Sequence, residues 1–142
     1  MTVTSTYADP RALLASLPFA RELGISLVSA EPGTVVVEMP FAERFSTPPK
    51  HFPASIVGTL GDVAAVSSCT SRLPGGWAAA TLDYTIKMTA PAHGEKLIAR
   101  GRVLQSGQTI SVGAADIFVV SGGSEVLCGT VLATARNFKL NA

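Results

Sequence analysis

One carboxylate in an otherwise apolar stretch is the side chain of this sequence best placed for chemistry. Asp62 lies between His51 and Gly76, and no other charged residue occurs from Phe52 to Ser71. Burial would disfavour the charged form of this carboxylate and raise its basicity. A basic carboxylate suits general-base work, and the alternative is a carboxylate that makes only structural hydrogen bonds.

The residues around Asp62 carry the start and stop signals of one long helix. Ser55 is the predicted N-cap, because its hydroxyl can accept a hydrogen bond from a free backbone N–H. The predicted stop is Pro74-Gly75-Gly76. A helix that is apolar on nearly every face is buried on most faces. Gly58 and Gly61 each cost about 1 kcal/mol relative to alanine in a helix interior, so they indicate that other parts of the chain pass close by.

Strand patterns surround this helix in the sequence. Apolar and polar residues alternate in six segments bounded by turn residues, at 25–30, 34–41, 77–89, 96–104, 108–120 and 126–138. An antiparallel sheet buries a single apolar helix by curling around it. The predicted fold class is therefore α+β, a hotdog fold in which a curved antiparallel sheet wraps around one long buried helix.

The first residues of the chain predict a short amphipathic helix. Asp9 is the predicted N-cap and Pro10 fits the first turn. Leucines at 13, 14 and 17 share one side, Pro18 is the expected stop, and residues 19–23 could add one more turn. The length of 142 residues predicts one domain over 1–142. Its core is placed at 18–138, after an N-terminal extension at 1–17.

The composition limits the classes of partner. The chain is 47% hydrophobic and 15% charged, with a mean hydropathy of +0.38, so we expect another subunit to cover part of its apolar surface. The net charge of +1, without runs of like charge, argues against nucleic acid and anionic membranes. Without a signal-peptide pattern or a membrane-length apolar run, a cytoplasmic location is predicted. Cys69 and Cys128 fit no metal-ligand spacing and are predicted to be buried thiols.

Several short motifs resemble those of a known family in their order and spacing. They are Leu60-Gly61-Asp62, Thr81, Pro91-Ala92-x-Gly94 and Gly107. Across roughly residues 20–138 the chain resembles the hotdog-fold acyl-CoA thioesterases, specifically the subfamily related to the phenylacetate-pathway thioesterase. The resemblance implies hydrolysis of an acyl-CoA or aryl-CoA to free acid and CoA. It implies no cofactor and no metal, the CoA thioester being the substrate.

The resemblance also implies roles for individual residues. Asp62 would attack the thioester or activate water, and Thr81 would reach the site from the partner subunit. A backbone N–H at the helix start would hold the carbonyl oxygen, because unpaired N–H groups and the helix dipole stabilise negative charge there. Proline has no N–H, so Ala54 or Ser55 would supply this contact. The family's upstream amide falls near Thr47, which would help to position the substrate.

Two departures from the family pattern keep other functions open. The usual His-Gly-Gly is replaced by Pro53-Ala54-Ser55, which leaves a non-catalytic acyl-CoA-binding protein as one alternative. The segment His51-Phe52-Pro53 resembles the hotdog 3-hydroxyacyl dehydratases, which makes a dehydratase or hydratase with His51 as base the other. In that family the acid lies fourteen residues after the histidine, at Ala65 here. A surface or loop-packing residue is the favoured interpretation of His51.

The resemblance implies a homodimer or a dimer of dimers with its sites between subunits. Four basic residues are candidates for contacts with the phosphates of CoA: Lys50, Lys87, Arg100 and Arg136. The aromatic and methionine side chains considered for the acyl pocket are Phe41, Phe45, Phe52, Trp77, Tyr84 and Met88. His93 is predicted to be a solvent-exposed turn residue.

Overall fold

The structure is a computed structural model that describes residues 8–140. The first seven residues of the predicted N-terminal extension, and the last two of the chain, lie outside this range. The elements in chain order are α1 Pro10–Ala15, α2 Pro18–Leu23, β1 Ser26–Glu31, β2 Thr34–Pro40, a 3-10 turn Glu43–Phe45, α3 Ala54–Thr70, β3 Trp77–Met88, β4 Lys96–Ser106, β5 Ile110–Ser121 and β6 Ser124–Lys139.

One antiparallel sheet of six strands forms the frame, in the order β1-β2-β4-β5-β6-β3. The long helix α3 packs against strands β2 to β6 on the concave face. Strand β3 lies at one edge of the sheet and pairs only with β6 within the described residues. The predicted hotdog fold, with six strands around one long helix, is confirmed.

Glycines allow α3 to lie close to the sheet. A Cβ atom on Gly61 would lie 2.5 Å from Cγ2 of Val131 and 2.8 Å from Cδ1 of Ile117. A hydroxyl adds a polar link, because Ser68 Oγ accepts from the Val35 N–H at 3.0 Å. The close approach predicted from the helix glycines is therefore confirmed, and it sets the distance between α3 and the sheet.

The bounds of α3 differ from the prediction at both ends. Pro53 occupies the N-cap position without a side-chain cap, so the prediction of Ser55 as the N-cap is wrong. Ser55 is the second helical residue and is exposed. The helix ends at Thr70, before the predicted Pro74 stop. It ends early because the Ser71 hydroxyl donates to Ser68 O at 2.6 Å and accepts from the Gly33 N–H at 2.9 Å, which turns the chain toward β2.

The N-terminal segment forms two short helices rather than one. Asp9 caps α1 as predicted, since its carboxylate accepts from the Arg11 N–H at 3.0 Å. Pro18 does not stop this helix, which already ends at Ala15; it starts α2, because proline is favoured in a first helical turn. Leu14 of α1 is buried and belongs to the main hydrophobic core.

Both cysteines are buried and unpaired, as predicted. Burial raises the pKa of the Cys69 and Cys128 thiols to about 11, so both remain protonated and unreactive at neutral pH. From residue 8 to residue 140, no helix is long and apolar enough to cross a membrane. Over the same range, no three His, Cys, Asp or Glu side chains cluster as metal ligands would.

Candidate active site

Asp62 and Thr81 come together where β3 passes along α3. Thr81 Oγ1 donates a hydrogen bond to Asp62 Oδ1 at 2.9 Å. Strand β3 has a bulge between Thr81 and Asp83, and such bulges bend a strand and re-aim its side chains. Thr81 pairs in register with the fully buried Ala135 of β6, so its side chain points to the helix face of the sheet.

The environment of Asp62 favours a basic carboxylate. Burial raises the pKa of this carboxyl above its ordinary value, and the hydrogen bond from Thr81 offsets part of that rise. No lysine, arginine or histidine within residues 8–140 forms an ion pair with Asp62. Thr81 is its one side-chain hydrogen-bond partner in that range. The second oxygen, Oδ2, is therefore available to accept a proton.

The contact with Thr81 corrects one prediction. The family resemblance predicts that Thr81 reaches the site from the partner subunit, but Thr81 contacts Asp62 of its own chain. The reason is geometric: the link between α3 and β3 is short, so the first half of β3 runs directly beside the second half of α3. Asp62 and Thr81 thus form a unit that one chain supplies completely.

The start of α3 offers backbone donors at the other end of the helix. The N–H groups of Ile56 and Val57 both donate to Pro53 O, at 2.9 and 3.1 Å. Within the described residues, Ala54 and Ser55 have no backbone acceptor for their N–H groups, and both residues are exposed. These two N–H groups at the positive end of the helix dipole fit a developing oxyanion.

These donors and Asp62 of the same chain are too far apart to act on one carbonyl group. Eight residues separate Ala54 from Asp62, which is about 12 Å along a helix. An oxyanion lies about 3 Å from its donor, and the attacked carbon is bonded to that oxygen. One chain therefore brings together Asp62 and Thr81, but it does not bring Ala54 or Ser55 to them.

Thr47 and His51 belong to the loop that leads into α3. Each accepts from the other's N–H, at 2.9 and 2.8 Å, in an isolated antiparallel bridge. His51 also bridges to His93, and the two imidazole rings lie 5.1 Å apart. Thr47 is exposed, and so is His93, as predicted. The loop thus groups Thr47 and His51 with the helix start and not with Asp62.

A cavity of about 400 Å³ opens beside Asp62 and Thr81, and no motif of the sequence predicts it directly. Helix α1 forms the wall opposite α3. None of the six side chains considered for a pocket lines this cavity; Phe41 and Phe52, for example, pack edge-to-face in the core with ring centroids 5.4 Å apart. The signal for it in the sequence is the row of leucines at 13, 14 and 17 in the N-terminal segment. The main apolar side chains of the walls are Leu13, Leu17, Val63, Val66, Phe138 and Leu140.

The four basic candidates differ in their surroundings. Arg100 is engaged by Glu125 through two hydrogen bonds of 2.9 Å each. Lys50, Lys87 and Arg136 are exposed and form no ion pair within residues 8–140. Lys50, which has a positive φ of 61°, belongs to the Thr47–His51 loop and precedes the first residue of α3 by four positions.

Comparisons with known proteins identify similar chains. The chain is 31% identical to the human protein named acyl-coenzyme A thioesterase 13 over 111 residues, covering 75% of this chain and 77% of the human one. A thioesterase family protein from Silicibacter pomeroyi superposes with a TM-score of 0.88 at 26% identity, covering 92% of this chain and 96% of that one. The Escherichia coli PaaI protein of the phenylacetic acid degradation operon superposes with a TM-score of 0.78 at 21% identity, covering 92% of each chain. No protein-family model matches the sequence.

Proposed function

The chain belongs to the hotdog-fold acyl-CoA thioesterases, and from this premise we propose that it hydrolyses an acyl-CoA thioester to the free acid and coenzyme A. The observation that carries the proposal is the placement of Asp62. This carboxylate is half-buried, lacks a cationic partner within residues 8–140, holds one hydrogen bond from Thr81, and lines an apolar cavity. A relative named acyl-coenzyme A thioesterase supports the substrate class.

In the proposed reaction, Asp62 accepts a proton from a water molecule as the water oxygen attacks the thioester carbonyl carbon. The tetrahedral intermediate then collapses, the C–S bond breaks, and the proton returns to the leaving thiolate of CoA. Direct attack by Asp62 is the variant of this scheme; it gives an acyl-aspartyl anhydride that water then hydrolyses. In both schemes Thr81 is a positioning residue, because its hydroxyl holds Oδ1 and directs Oδ2 to the substrate.

The oxyanion donors would come from a second subunit. The distance along α3 separates Ala54 and Ser55 from Asp62 of their own chain, so a complete site needs the helix start of a partner. The outer edge of β3 supports a homodimer, because no strand within residues 8–140 pairs with it. Strand β3 is twelve residues long and exposes Leu82, Tyr84 and Met88, and exposed apolar strand edges favour pairing with another chain. A dimer of two such dimers is compatible with the same edge contact.

Residues near the helix start would hold the CoA part of the substrate. Thr47 and His51 stand on the loop beside Ala54 and Ser55, where they would contact the pantetheine arm near the thioester. Lys50 is the basic candidate nearest to this point and would face a CoA phosphate. Arg100 is a poor candidate because Glu125 already occupies its guanidinium group.

A dehydratase fits this geometry less well. Its acid would stand at the position of Ala65, which is fully buried, and His51 packs against His93 and not beside Asp62. A non-catalytic acyl-CoA-binding protein remains the second candidate, because Pro53-Ala54-Ser55 replaces the His-Gly-Gly of the family pattern at the helix start.

The test is thiol release from a panel of acyl-CoA and aryl-CoA thioesters, with the free acid identified by mass spectrometry. Equal amounts of thiol and free acid are expected. Tight binding of acyl-CoA without thiol release would contradict the proposed hydrolysis and favour the binding protein. Formation of an enoyl thioester without thiol release would favour the dehydratase.

The two-subunit site has its own test in mixed dimers. Ala54→Pro removes one oxyanion donor, and proline suits this position because it is first in the helix and because Pro53 has the extended ψ of 154° that a following proline requires. We expect the variant to lose about 10²-fold in kcat. Unfolding and refolding it together with Asp62→Asn should restore roughly a quarter of wild-type activity, because half of the dimers are mixed and each carries one intact site. No restoration would contradict the shared site.

A further inference from the structure

The cavity beside Asp62 extends away from the carboxylate along α3. Its α3 wall begins at Asp62 and ends at Thr70, and its β3 wall follows the same course. Thr81 contacts Asp62 at one end, and the Ala79 N–H donates to Thr70 Oγ1 at 3.0 Å at the other. Eight residues of helix give the cavity a length of about 12 Å. It is a slot that starts at the reactive group.

Beyond its mouth the slot offers a ligand few polar partners, namely the hydroxyls of Ser16, Ser67 and Thr70. Asp62 is the one charged residue among the residues that line it. The Thr70 hydroxyl already accepts from Ala79, and the Ser16 hydroxyl donates to Leu13 O at 2.6 Å. The Ser67 hydroxyl has no hydrogen bond within the described residues, so only a ligand hydroxyl level with Ser67 gains a partner. A carboxylate on the bound chain would lose its water and meet no cation, which is unfavourable. The slot selects for hydrocarbon.

We propose that this slot binds the acyl chain of the substrate and that the preferred substrates carry unbranched saturated chains of up to about ten carbons. The inference rests on the proposed function, because it places the thioester carbonyl at Asp62. An extended chain covers 3.3–3.6 Å per three bonds, so about 12 Å accommodates about ten bonds. CoA then leaves the mouth toward the helix start of the partner.

Helix α1 takes part in this specificity. Leu13 of α1 and Leu17, the residue before α2, line the slot together with Val63 and Val66 of α3. A hydrogen bond anchors the residues just before α1, since the buried Ala8 donates its N–H to Leu73 O at 2.9 Å. The two short N-terminal helices thus determine the width of the slot, although they contribute no group to the reaction.

The first test is a series of saturated acyl-CoAs from two to sixteen carbons, with hydroxylated, dicarboxylic and phenylacetyl thioesters for comparison. We expect kcat/KM to rise by up to about fourfold per added methylene until the slot is full near ten carbons, and then to level off or fall. A flat dependence on chain length would overturn the inference and leave the thioesterase standing. So would a preference for the phenylacetyl or the hydroxylated thioester.

The second test blocks the slot. Ser67 lines it about 7.5 Å beyond Asp62, five residues along the helix. Ser67→Phe should lower the ratio of kcat/KM for decanoyl-CoA to that for butyryl-CoA by at least about tenfold. Leu13→Trp fills the slot from the opposite wall and should act in the same direction if Ser67→Phe fails to fold. Ser29→Phe adds the same ring at an exposed position of β1, outside the slot, and should keep the wild-type ratio.

The outcomes separate the two proposals. A loss of activity that is equal for all chain lengths, in a folded Ser67→Phe or Leu13→Trp variant, would overturn the acyl slot but not the hydrolysis. Absence of thiol release from every thioester by the wild-type protein would overturn both.

Discussion

Two aspartate–threonine pairs with similar hydroxyl–carboxylate distances lie on opposite faces of the sheet. Thr81 donates to Asp62 at 2.9 Å on the helix side, and Thr130 donates to Asp116 at 3.1 Å on the outer side. Asp116 also has a cation, since Arg102 Nη1 lies 3.2 Å from its Oδ2. Asp62 lines an apolar cavity and has no cation among the described residues. The hydroxyl is common to both pairs, so the missing counter-charge and the cavity distinguish the reactive carboxylate from the structural one.

The largest expected difference between the pairs is in activity. Asp62→Asn keeps the shape of the side chain but removes the group that accepts the proton, and we expect kcat/KM for thiol release to fall by about 10²- to 10⁴-fold. Asp116→Asn is the matched control, because it makes the same change in the other pair, and its activity should stay close to wild type. Comparable losses in the two variants would mean that the cavity confers no special role.

A smaller difference in activity is expected when the threonine hydroxyl of each pair is removed. Thr81→Val removes the hydrogen bond that orients Asp62 and should lower kcat by about tenfold. Thr130→Val makes the same change beside Asp116 and should leave kcat unchanged. Thr81→Ser, which keeps the hydroxyl, should recover most of the loss. A serine variant as impaired as the valine variant would show that packing, and not the hydrogen bond, is what matters.

The smallest effects are on stability, and they have opposite signs. The folded state raises the pKa of Asp62, so it holds the proton more tightly than the unfolded state, and this contribution to stability is lost as pH rises through the folded pKa. Asp62→Asn should therefore raise the free energy of unfolding at neutral pH but not below the ordinary aspartate range. Asp116→Asn breaks a surface ion pair and should lower the free energy of unfolding by about 0.2–1 kcal/mol. Urea unfolding at both pH values tests these signs, and a destabilised Asp62→Asn at neutral pH would contradict them.

The sequence predicts the acid better than its surroundings. Asp62 stands out because burying a single charge in an apolar helix costs free energy, which suggests that the charge has a function. The fold itself is predictable because apolar and polar residues alternate clearly in the six strands. The contact with Thr81 depends on the bulge at Leu82, an extra residue in β3 that the alternation pattern does not reveal. Whether Thr81 meets its own helix or a neighbour's depends on the path of the chain, which residue types alone do not encode.

The cavity was not predictable for a related reason. Its width depends on how α1 docks, and that position depends on the distant contact of Ala8 with Leu73. The leucines of α1 indicated an apolar contact, but not that the contact would leave a space beside Asp62. The residue types at the helix start predict the wrong cap, because Ser55 is a good capping residue by type, whereas Pro53 takes the cap position through its extended backbone.

The pH dependence of kcat/KM for thiol release tests most directly whether Asp62 is the group that drives hydrolysis. This ratio reports the ionisation of the free enzyme. Because burial raises the pKa of Asp62 and the Thr81 hydrogen bond lowers it, activity should fall on acidification at a pH above the ordinary aspartate range. In Thr81→Val that fall should move to still higher pH. An acid limb that stays in place in Thr81→Val, or one that persists at undiminished activity in Asp62→Asn, would contradict the assignment.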